Sequence, residues 1–555
     1  MPMKSHTRIY LYLPLLLALA LAIGLLGGRY LDRLSPNGLL SGNPSGISKL
    51  QDILNYIEKE YVDSVDRETL TEDAIVALLR DLDPHSAYIP AREYDQVNDP
   101  LMGKFEGIGV QFNMPEDTIL IIQVIPGGPS EKAGLMAGDR IVTVDGEAVA
   151  GKSLTTLDVM RRLKGDKGTR VELEISRRGY ADLLPYTIIR DVIPQHSIDI
   201  SYLPEPGIGY VRLSRFSMTT AEEFDQALKD LKADGMRKLI LDLRGNSGGF
   251  LDAAIALADE FLPDDQLIVY TEGRARPRRF AYATAAGDWE TQPLILLIDE
   301  GSASASEILA GAIQDNDRGL ILGRRSFGKG LVQEQLQLPD GSGLRLTVAR
   351  YYSPTGRCIQ RPYDQGADAY AMEIMDRFHG GEMESNDSLP VNDSLKYTTP
   401  GGKVVYGGGG ISPDIFVGLE KDERLGYYNQ LINRGILYNY SFSYTDRHRP
   451  EMAKFKNTEA FDRGFSPSPV MLQELVDLAR REGLPEDPQG LAYARERITA
   501  LLKAYIARNL IGDQAFFPLY LRTDPAFLRA LREMRSGGET AGFVDRGRAQ
   551  KPSTL

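Results

Sequence analysis

The chain has 555 residues, more than one hydrophobic core accommodates, so several domains are expected. Apolar residues make up 42% and charged residues 25% of the composition, a balance that excludes wholesale disorder and a protein built mainly of membrane spans. The net charge is −13 and no long basic run is present, so nucleic acid is not an expected partner. The single cysteine and five scattered histidines offer no ligand spacing, so neither a metal site nor a cofactor is expected.

The N-terminal segment 1–28 contains an apolar run, Ile9–Leu26, which follows the cations Lys4 and Arg8. Eighteen helical residues span about 27 Å, roughly one hydrocarbon core. The run therefore predicts an inner-membrane anchor with the body of the protein in the periplasm. A cleaved signal peptide, which would leave an exported protein, is the main alternative, although no Ala-x-Ala site follows the run. A buried helix of a soluble domain is a third reading.

Residues 29–46 are rich in Gly, Ser, Asn and Pro and are predicted to be a linker. Helix-spaced apolar residues then predict an N-terminal helical region over 47–100. His85 lies just after the helix-breaking Asp83-Pro84 pair, where a lone histidine is interpreted as a structural residue.

Short strands and glycine turns occupy residues 101–185. The run Ala133-Gly-Leu-Met-Ala-Gly-Asp-Arg-Ile141, with the strand and helix after it, resembles a PDZ domain of bacterial proteases. In such a domain a peptide adds a strand beside a helix, and backbone N–H groups meet its terminal carboxylate. The resemblance gives that role to Gly107, Ile108, Gly109 and Val110. An all-β module with glycine turns is the alternative.

From 186 to 420 strands and helices alternate, which predicts an α/β core. A continuous apolar strand, Leu294–Asp299, leads into Ser302-Ala-Ser304-Ala-Ser-Glu307 and then a helix. A serine at such a turn gains from unpaired N–H groups at the helix start, which can stabilise an oxyanion. Simple helix capping is the alternative, because Ser304 and Glu307 have capping-box spacing.

Twenty-five residues beyond Ser304, Lys329 stands between two glycines beside a buried strand. Burial disfavours the ammonium form, so a desolvated Lys329 could accept the serine proton. Gln333 is four residues further on and would share a face with Lys329 in an extended segment, where its amide oxygen could orient the amine. A surface turn lysine is the alternative.

Three motifs together resemble the C-terminal processing, or tail-specific, serine peptidases: Leu241-Asp-Leu-Arg-Gly-Asn-Ser-Gly-Gly249, Gly301-Ser-Ala-Ser-Ala-Ser-Glu-Ile308 and Phe327-Gly-Lys-Gly-Leu-Val-Gln333. The resemblance implies a multidomain protein with an α/β crotonase/Clp-like protease core and an inserted PDZ-like β domain. It assigns Ser304 as nucleophile, Lys329 as general base and Gln333 as its orienter. It also places an oxyanion hole at Ala305 N–H and at Gly248 or Gly249, without deciding between the glycines.

Other reactive side chains are weaker candidates. Asp315 lies about three helical turns from Ser304 and is interpreted as structural. His85 and His196 are the rival bases for a histidine-dependent serine enzyme. Cys358 resembles a thiol nucleophile but lacks a paired histidine motif. The polar stretch 377–392 is expected to be a flexible insertion.

Residues 421–535 show helix-periodic stretches and are predicted to form a helical C-terminal extension, packed as an accessory domain or used in oligomerisation or partner docking. The polar residues 536–555 are expected to be a disordered tail.

The sequence therefore predicts a serine endopeptidase that binds the accessible C-termini of protein substrates through its PDZ-like domain and forms an acyl-enzyme. A non-catalytic peptide-binding scaffold is the first alternative. A crotonase-like acyl-transfer enzyme is the second, but it would leave the PDZ-like segment and Lys329 unexplained.

Overall fold

The structure is a computed structural model that describes residues 46–114, 117–388 and 392–536, together with the isolated residue 18. The predicted anchor Ile9–Leu26, the linker up to residue 45 and residues 537–555 of the predicted tail lie outside this description, apart from residue 18. Among the described residues, no helix has both the length and the apolar character needed to cross a membrane. The chain divides into two compact units, residues 1–82 and 83–555.

Within residues 46–82, the first unit contains two helices, α1 (Gly46–Glu60) and α2 (Arg67–Arg80). Helix α2 begins after Asp66, whose carboxylate accepts the Thr69 N–H at 3.1 Å and so satisfies one of the free donors of the first turn.

The second unit begins with β1 (Ala87–Ile89), α3 (Tyr94–Met102) and β2 (Lys104–Gly107). Strand β1 pairs antiparallel with a strand of the predicted α/β core, where Tyr88 lies opposite Leu344. The predicted helical region 47–100 is therefore divided: its last eighteen residues, 83–100, belong to the larger unit. Tyr88 and Leu344 are 256 residues apart in the sequence, and a contact over that separation leaves no trace in local periodicity, which explains why the sequence pattern missed it.

A separate small sheet follows, with strand order β3-β4-β5-β7-β8 and β6 paired to β5. Its elements are β3 (Val110–Asn113), β4 (Ile119–Val124), α4 (Pro129–Ala133), β5 (Arg140–Val144), β6 (Glu147–Ala148), α5 (Thr156–Leu163), β7 (Arg170–Ser176) and β8 (Leu184–Ile189). This module has its own apolar core, which includes Ile119, Ile141 and Val171. Strand β8 runs past the predicted boundary at 185. Next, β9 (Asp191–Pro194) pairs with β2 so that Asp191 lies opposite Gly107.

The predicted α/β core contains a six-stranded sheet of order β10-β11-β12-β15-β16-β21, parallel from β11 onward. Its strands and the helices between them are β10 (Ile198–Glu205), β11 (Ile208–Leu213), α6 (Thr220–Ala233), β12 (Lys238–Asp242), α7 (Leu251–Asp259), β15 (Leu294–Ile298), α8 (Ala305–Asp315), β16 (Leu320–Gly323) and β21 (Ile415–Phe416). All five residues of β15 are buried, as expected for a parallel strand covered on both faces.

A second sheet joins β1, β18, β13 and β14, with β17 also paired to β18. The remaining elements of this region are β13 (Leu267–Gly273), β14 (Arg276–Tyr282), β17 (Leu331–Gln337), β18 (Gly343–Tyr352), α9 (Ala367–His379), β19 (Lys396–Thr398) and β20 (Val404–Tyr406). The described part of the predicted flexible insertion is built into this region. The buried Arg377 donates to the main-chain oxygens of Arg325 and Ser326 and pairs with the buried Glu382.

Seven helices form the C-terminal region: α10 (Gly426–Asn433), α11 (Ile436–Met452), α12 (Thr458–Gly464), α13 (Pro469–Arg481), α14 (Pro488–Ile511), α15 (Asp513–Tyr520) and α16 (Pro525–Arg535). They pack against one face of the six-stranded sheet, where Ile240, Ile295 and Leu297 join their apolar cluster. The alternate residues, Leu241 and Leu296 among them, join the cluster of α6, α7 and α8 on the other face.

Candidate active site

Ser304 occupies the turn between the buried strand β15 and helix α8. Its backbone has φ +54° and ψ −114°, a conformation that residues other than glycine seldom adopt. Helix α8 begins at Ala305, and the N–H groups of a first helical turn have no acceptor within the helix. The N–H groups of Ser306, Glu307 and Ile308 donate to main-chain oxygens of the turn, so the Ser304 hydroxyl lies beside the Ala305 N–H, for which no acceptor is found among the described residues.

The glycine pair after β12 lies directly against this turn. A Cβ added at Gly248 would lie 2.8 Å from the Ser304 Cβ and 2.9 Å from the Ala305 nitrogen, so only glycine fits there. The Gly248 N–H already donates to Asn246 Oδ1 at 2.9 Å. The main-chain oxygen of Phe216 accepts the Phe250 N–H, and the Phe216 N–H donates to the Gly248 oxygen. Neither of these hydrogen bonds uses the Gly249 N–H.

Lys329 precedes β17, and Gln333 is in that strand. Lys329 Nζ donates to Gln333 Oε1 at 2.9 Å, and Gln333 Nε2 in turn donates to the main-chain oxygen of His85. Burial lowers the pKa of Lys329 from its ordinary value, and the positive charge of Arg345 lowers it further, whereas Glu307 and Asp83 oppose the shift. The amine is therefore easier to deprotonate than an exposed lysine.

Glu307 joins the serine turn to the lysine segment. Its Oε2 accepts the main-chain N–H groups of both Ser304 and Lys329, at 2.9 and 2.8 Å, so those two nitrogen atoms are at most about 6 Å apart. Its Oε1 accepts from the Ser326 hydroxyl and the Gly328 N–H, both at 2.6 Å. Burial raises the pKa of this carboxyl to about 7 despite the four donors.

Tyr351 makes a second connection between the same two segments. Its hydroxyl lies 2.6 Å from the Lys329 carbonyl oxygen and 3.1 Å from that of Ser304. The sequence motifs did not indicate Tyr351, because it comes from β18 and only the pairing of β17 with β18 places it there. Glu307, in contrast, was visible in the sequence through its capping-box spacing.

The rival bases occupy other environments. Burial, followed by the charge of Lys329, lowers the pKa of His85 to about 4, and its Nε2 lies 2.8 Å from the Tyr370 hydroxyl. The His196 side chain is 68% exposed and lies 3.7 Å from Glu223. Asp315 is buried in an ion pair with Arg357 at 2.7 Å. Burial raises the pKa of the Cys358 thiol, which disfavours the nucleophilic thiolate.

The PDZ-like module contains a groove of about 340 Å³ between β3 and α5. Three of the four residues predicted to bind a peptide, Ile108, Gly109 and Val110, line it. Gly107 ends β2 and pairs with Asp191 instead of lining the groove. Because β3 is an edge strand, an extended peptide could add to the sheet along it.

Three segments of the chain match known protein families. Residues 207–366 match peptidase family S41, residues 120–177 match the PDZ domain, and residues 427–512 match a family of unknown function. The carboxy-terminal-processing protease of Bartonella bacilliformis is 38% identical over 319 residues, which cover 57% of this chain and 72% of that protein. The chain belongs to peptidase family S41.

A second relative agrees with this assignment, and a solved structure is also similar in sequence. The carboxy-terminal processing protease CtpB of Bacillus subtilis is 34% identical over 364 residues, which cover 64% of this chain and 75% of that protein. The solved structure of a photosystem II D1 C-terminal processing protease is 32% identical, with a TM-score of 0.33, and the match covers 61% of this chain and 90% of that one. This S41 chain is thus a serine peptidase with a PDZ domain and a helical C-terminal region.

Proposed function

We propose that this S41 peptidase is an endopeptidase that captures the C-terminal tails of protein substrates in its PDZ groove and cleaves them with a Ser304–Lys329–Gln333 site. The observation that carries the proposal is the position of the half-buried Lys329 amine. Its Nζ donates to Gln333 Oε1 at 2.9 Å, and one oxygen of Glu307 accepts the main-chain N–H groups of both Lys329 and Ser304. A lysine with a lowered pKa in that position suits a general base.

In the first step the neutral Lys329 amine takes the Ser304 hydroxyl proton while Oγ bonds to the scissile carbonyl carbon. The carbonyl electron pair moves to the oxygen and forms an oxyanion. When the oxyanion collapses, the C–N bond breaks, and the Lys329 ammonium returns its proton to the leaving amine. Water then attacks the acyl-enzyme with Lys329 again as base, which releases the acid and restores the Ser304 hydroxyl.

Gln333 keeps the amine in place for both proton transfers. Its amide oxygen accepts from Lys329 Nζ, and its amide nitrogen is held by the His85 carbonyl, so the oxygen faces the amine in either protonation state of Lys329. Because the His85 carbonyl can only accept a hydrogen bond, it binds the NH₂ end of the Gln333 amide and leaves the oxygen facing Lys329.

For the oxyanion hole we propose the N–H groups of Ala305 and Gly249. The Gly248 N–H is used by Asn246, whereas the Gly248 Cα must stay close to Ser304 for the loop to fit. Donors that are fixed before the reaction stabilise the developing charge without reorganisation.

The N-terminal run Ile9–Leu26 supports a proposal about location: an inner-membrane anchor would hold the peptidase on the periplasmic side, where exported proteins present their C-termini. Protease protection of the body in spheroplasts, with exposure only after osmotic shock, would contradict this orientation. Accessibility in intact spheroplasts is the expected result.

The main test measures cleavage of an unstructured protein with a free apolar C-terminus by the detergent-solubilised full chain. Ser304→Ala and Lys329→Arg are each expected to lower kcat by at least about 1,000-fold, because arginine keeps the positive charge but cannot act as a base. Arg350→Lys, a change of an exposed cation of β18, serves as the control and should retain activity.

Two results would contradict the proposal. An active Lys329→Arg variant would remove the lysine base, and a fully folded but inactive unmodified chain that binds tails would favour the scaffold alternative. Folding of each variant is checked by circular dichroism, so that loss of activity is separated from loss of structure.

A further inference from the structure

Strand β3 of the PDZ module borders two cavities rather than one. The groove between β3 and α5 measures about 340 Å³, and a second cavity of about 430 Å³ lies between the β3–β4 side of the module and the C-terminal helices. Gln111 and Phe112 line both cavities. The C-terminal region thus reaches the edge strand on which a substrate tail would add.

The geometry of an added strand directs its side chains alternately to the two faces of the sheet. Ile108 and Val110 line the α5 groove, so the side chains that face α5 enter that groove. The intervening side chains of the tail point to the opposite face, next to the exposed Gln111, which pairs with Gln123 of β4. Gln111 and Gln123 both line the second cavity.

The helical side of this second cavity carries hydrogen-bond donors that lack acceptors. Within the part of the chain that the structure describes, Arg449 Nε and Nη2 and Asn509 Nδ2 are buried without a hydrogen-bond partner. Asn509 is only 8% exposed, and both residues line the cavity. Unpaired buried donors are unfavourable, and a carboxylate is the side-chain group with the largest acceptor capacity.

The neighbouring carboxylates have partners of their own. Asp139 and Asp446 face Arg449, but Asp139 accepts two hydrogen bonds from Arg177, at 2.7 and 2.6 Å. Arg178 lies 3.8 Å from Asp446. On the α14 side, Arg508 pairs with Asp513 at 2.8 Å. The exposed Glu131 accepts the Gly127 N–H. Arg449 Nε and Nη2 and Asn509 Nδ2 are therefore left without an acceptor among the described residues.

We propose that Arg449 and Asn509 form a second subsite that selects an acidic side chain in the substrate tail. The acidic residue would be one that points away from α5, the first or third residue before the C-terminal residue. The inference rests on the proposed binding of tails along β3 and adds that the C-terminal helices read the other face of the bound strand.

The test uses the full chain with Ser304→Ala, so that bound peptides stay intact. Fluorescence anisotropy compares two labelled ten-residue peptides with the same apolar C-terminal residue, one with Glu and one with Gln at both outward positions. We expect the Glu peptide to bind about tenfold more tightly, as charge-assisted hydrogen bonds imply. Arg449→Gln should reduce the ratio to about one.

Two further variants make the result specific. Arg447→Gln changes a cation on the same helix that pairs with Glu474 instead, and it should keep the tenfold ratio. Gln111→Glu places a negative charge at an exposed position beside the outward side chains and should reverse the preference without disturbing the core. Both peptides are also measured with amidated C-termini. The Glu to Gln ratio then reports on the subsite, and the effect of amidation reports on binding of the terminal carboxylate in the groove.

Equal affinity of the unmodified chain for the free Glu and Gln peptides would overturn the subsite but leave tail binding intact. A preserved tenfold ratio in folded Arg449→Gln would overturn it as well. If amidation does not weaken binding of either peptide, the proposed recognition of the terminal carboxylate fails, whatever the Glu to Gln ratio.

Discussion

At the scale of single residues, the ring and the main-chain oxygen of His85 make different contacts. The His85 carbonyl holds Gln333, while its ring, with a pKa of about 4, is neutral near pH 7 and bonded to Tyr370. A base with so low a pKa holds protons weakly. The His85 ring is therefore a poor general base near pH 7, and the contact of His85 with Gln333 uses its main-chain oxygen.

His85→Ala keeps the main-chain oxygen, so we expect kcat/KM to stay within about tenfold of the unmodified value, well short of the loss on removing a general base. The rise of kcat/KM with pH should also be unchanged if Lys329, the proposed base, sets it. Gln333→Ala provides the comparison and should cause the larger loss. A fall of more than about 100-fold in folded His85→Ala would restore the histidine as a candidate base.

Glu307 gives the fold a pH dependence whose sign follows from its burial. Its folded pKa of about 7 lies above the ordinary 4.5, so the stability that this group contributes is present below pH 4.5 and is lost as the pH rises through 7. Glu307→Gln removes the titration. Between pH 4.5 and 8, the free energy of unfolding of the unmodified chain should fall by about 3 kcal/mol relative to this variant.

Urea unfolding at the two pH values measures this difference. Glu334→Gln is the matched control, because Glu334 is an exposed residue of β17 paired with Arg276, and it should show no such change. If the free energies of unfolding of the unmodified chain and Glu307→Gln differ by the same amount at both pH values, the raised pKa of Glu307 is contradicted.

At the scale of elements, the last helix that the structure describes is bonded to the segment leading into the Gly248-Gly249 loop. Asp524 caps α16 and also accepts two hydrogen bonds from Arg244 Nη1, both at 2.9 Å. Arg244 is further bonded to the buried Asp242 at the end of β12. Asp524, from the C-terminal region, thus helps to balance the positive charge of Arg244, which lies just before the Gly248-Gly249 loop.

Asp524→Asn retains a capping side chain but removes the charge, so it isolates the ion pair. Breaking such a largely buried pair should lower the free energy of unfolding by about 3 kcal/mol and reduce kcat more than KM changes. Glu205→Gln breaks the more exposed contact of Arg535 on the same helix and should cost less than about 1 kcal/mol. Equal effects of the two changes would show that Asp524 has no special connection to the loop.

Local patterns in the sequence indicated most elements of the protease region, because apolar runs such as Leu294–Ile298 and the turn around Ser304 carry their own signals. The motifs also placed Lys329 and Gln333 four residues apart, and the structure bonds their side chains. Tyr351 and the His85 carbonyl were not predictable, since each reaches the site only through strand pairing. The burial of Arg377 was missed because charged residues normally indicate surface.

At the scale of the whole molecule, the PDZ module is inserted between two strands that pair with each other. Gly107 at the end of β2 lies opposite Asp191 at the start of β9, so the two ends are about 5 Å apart. The module also has a core of its own. Removing residues 108–190 and joining the ends with two glycines should leave a folded peptidase.

Circular dichroism and hydrolysis of an unstructured peptide test this deletion. The shortened chain should still hydrolyse the peptide but should no longer distinguish a free C-terminus from an amidated one. Truncation after Glu420 is the contrasting change: it uncovers the sheet face that includes Ile240 and Ile295, so that protein should aggregate. A soluble truncated chain, or an unfolded deletion chain, would contradict this account of the architecture.

The backbone at Ser304 has a wider consequence for how such an enzyme can be improved. With φ at +54°, Ser304, the proposed nucleophile, holds a conformation that glycine would adopt with less strain, so the backbone at this residue costs the fold some stability. Selection for thermal tolerance alone would favour the loss of the serine. Substitutions that raise the thermal stability of this enzyme without loss of activity are therefore expected at positions away from the Ser304 turn.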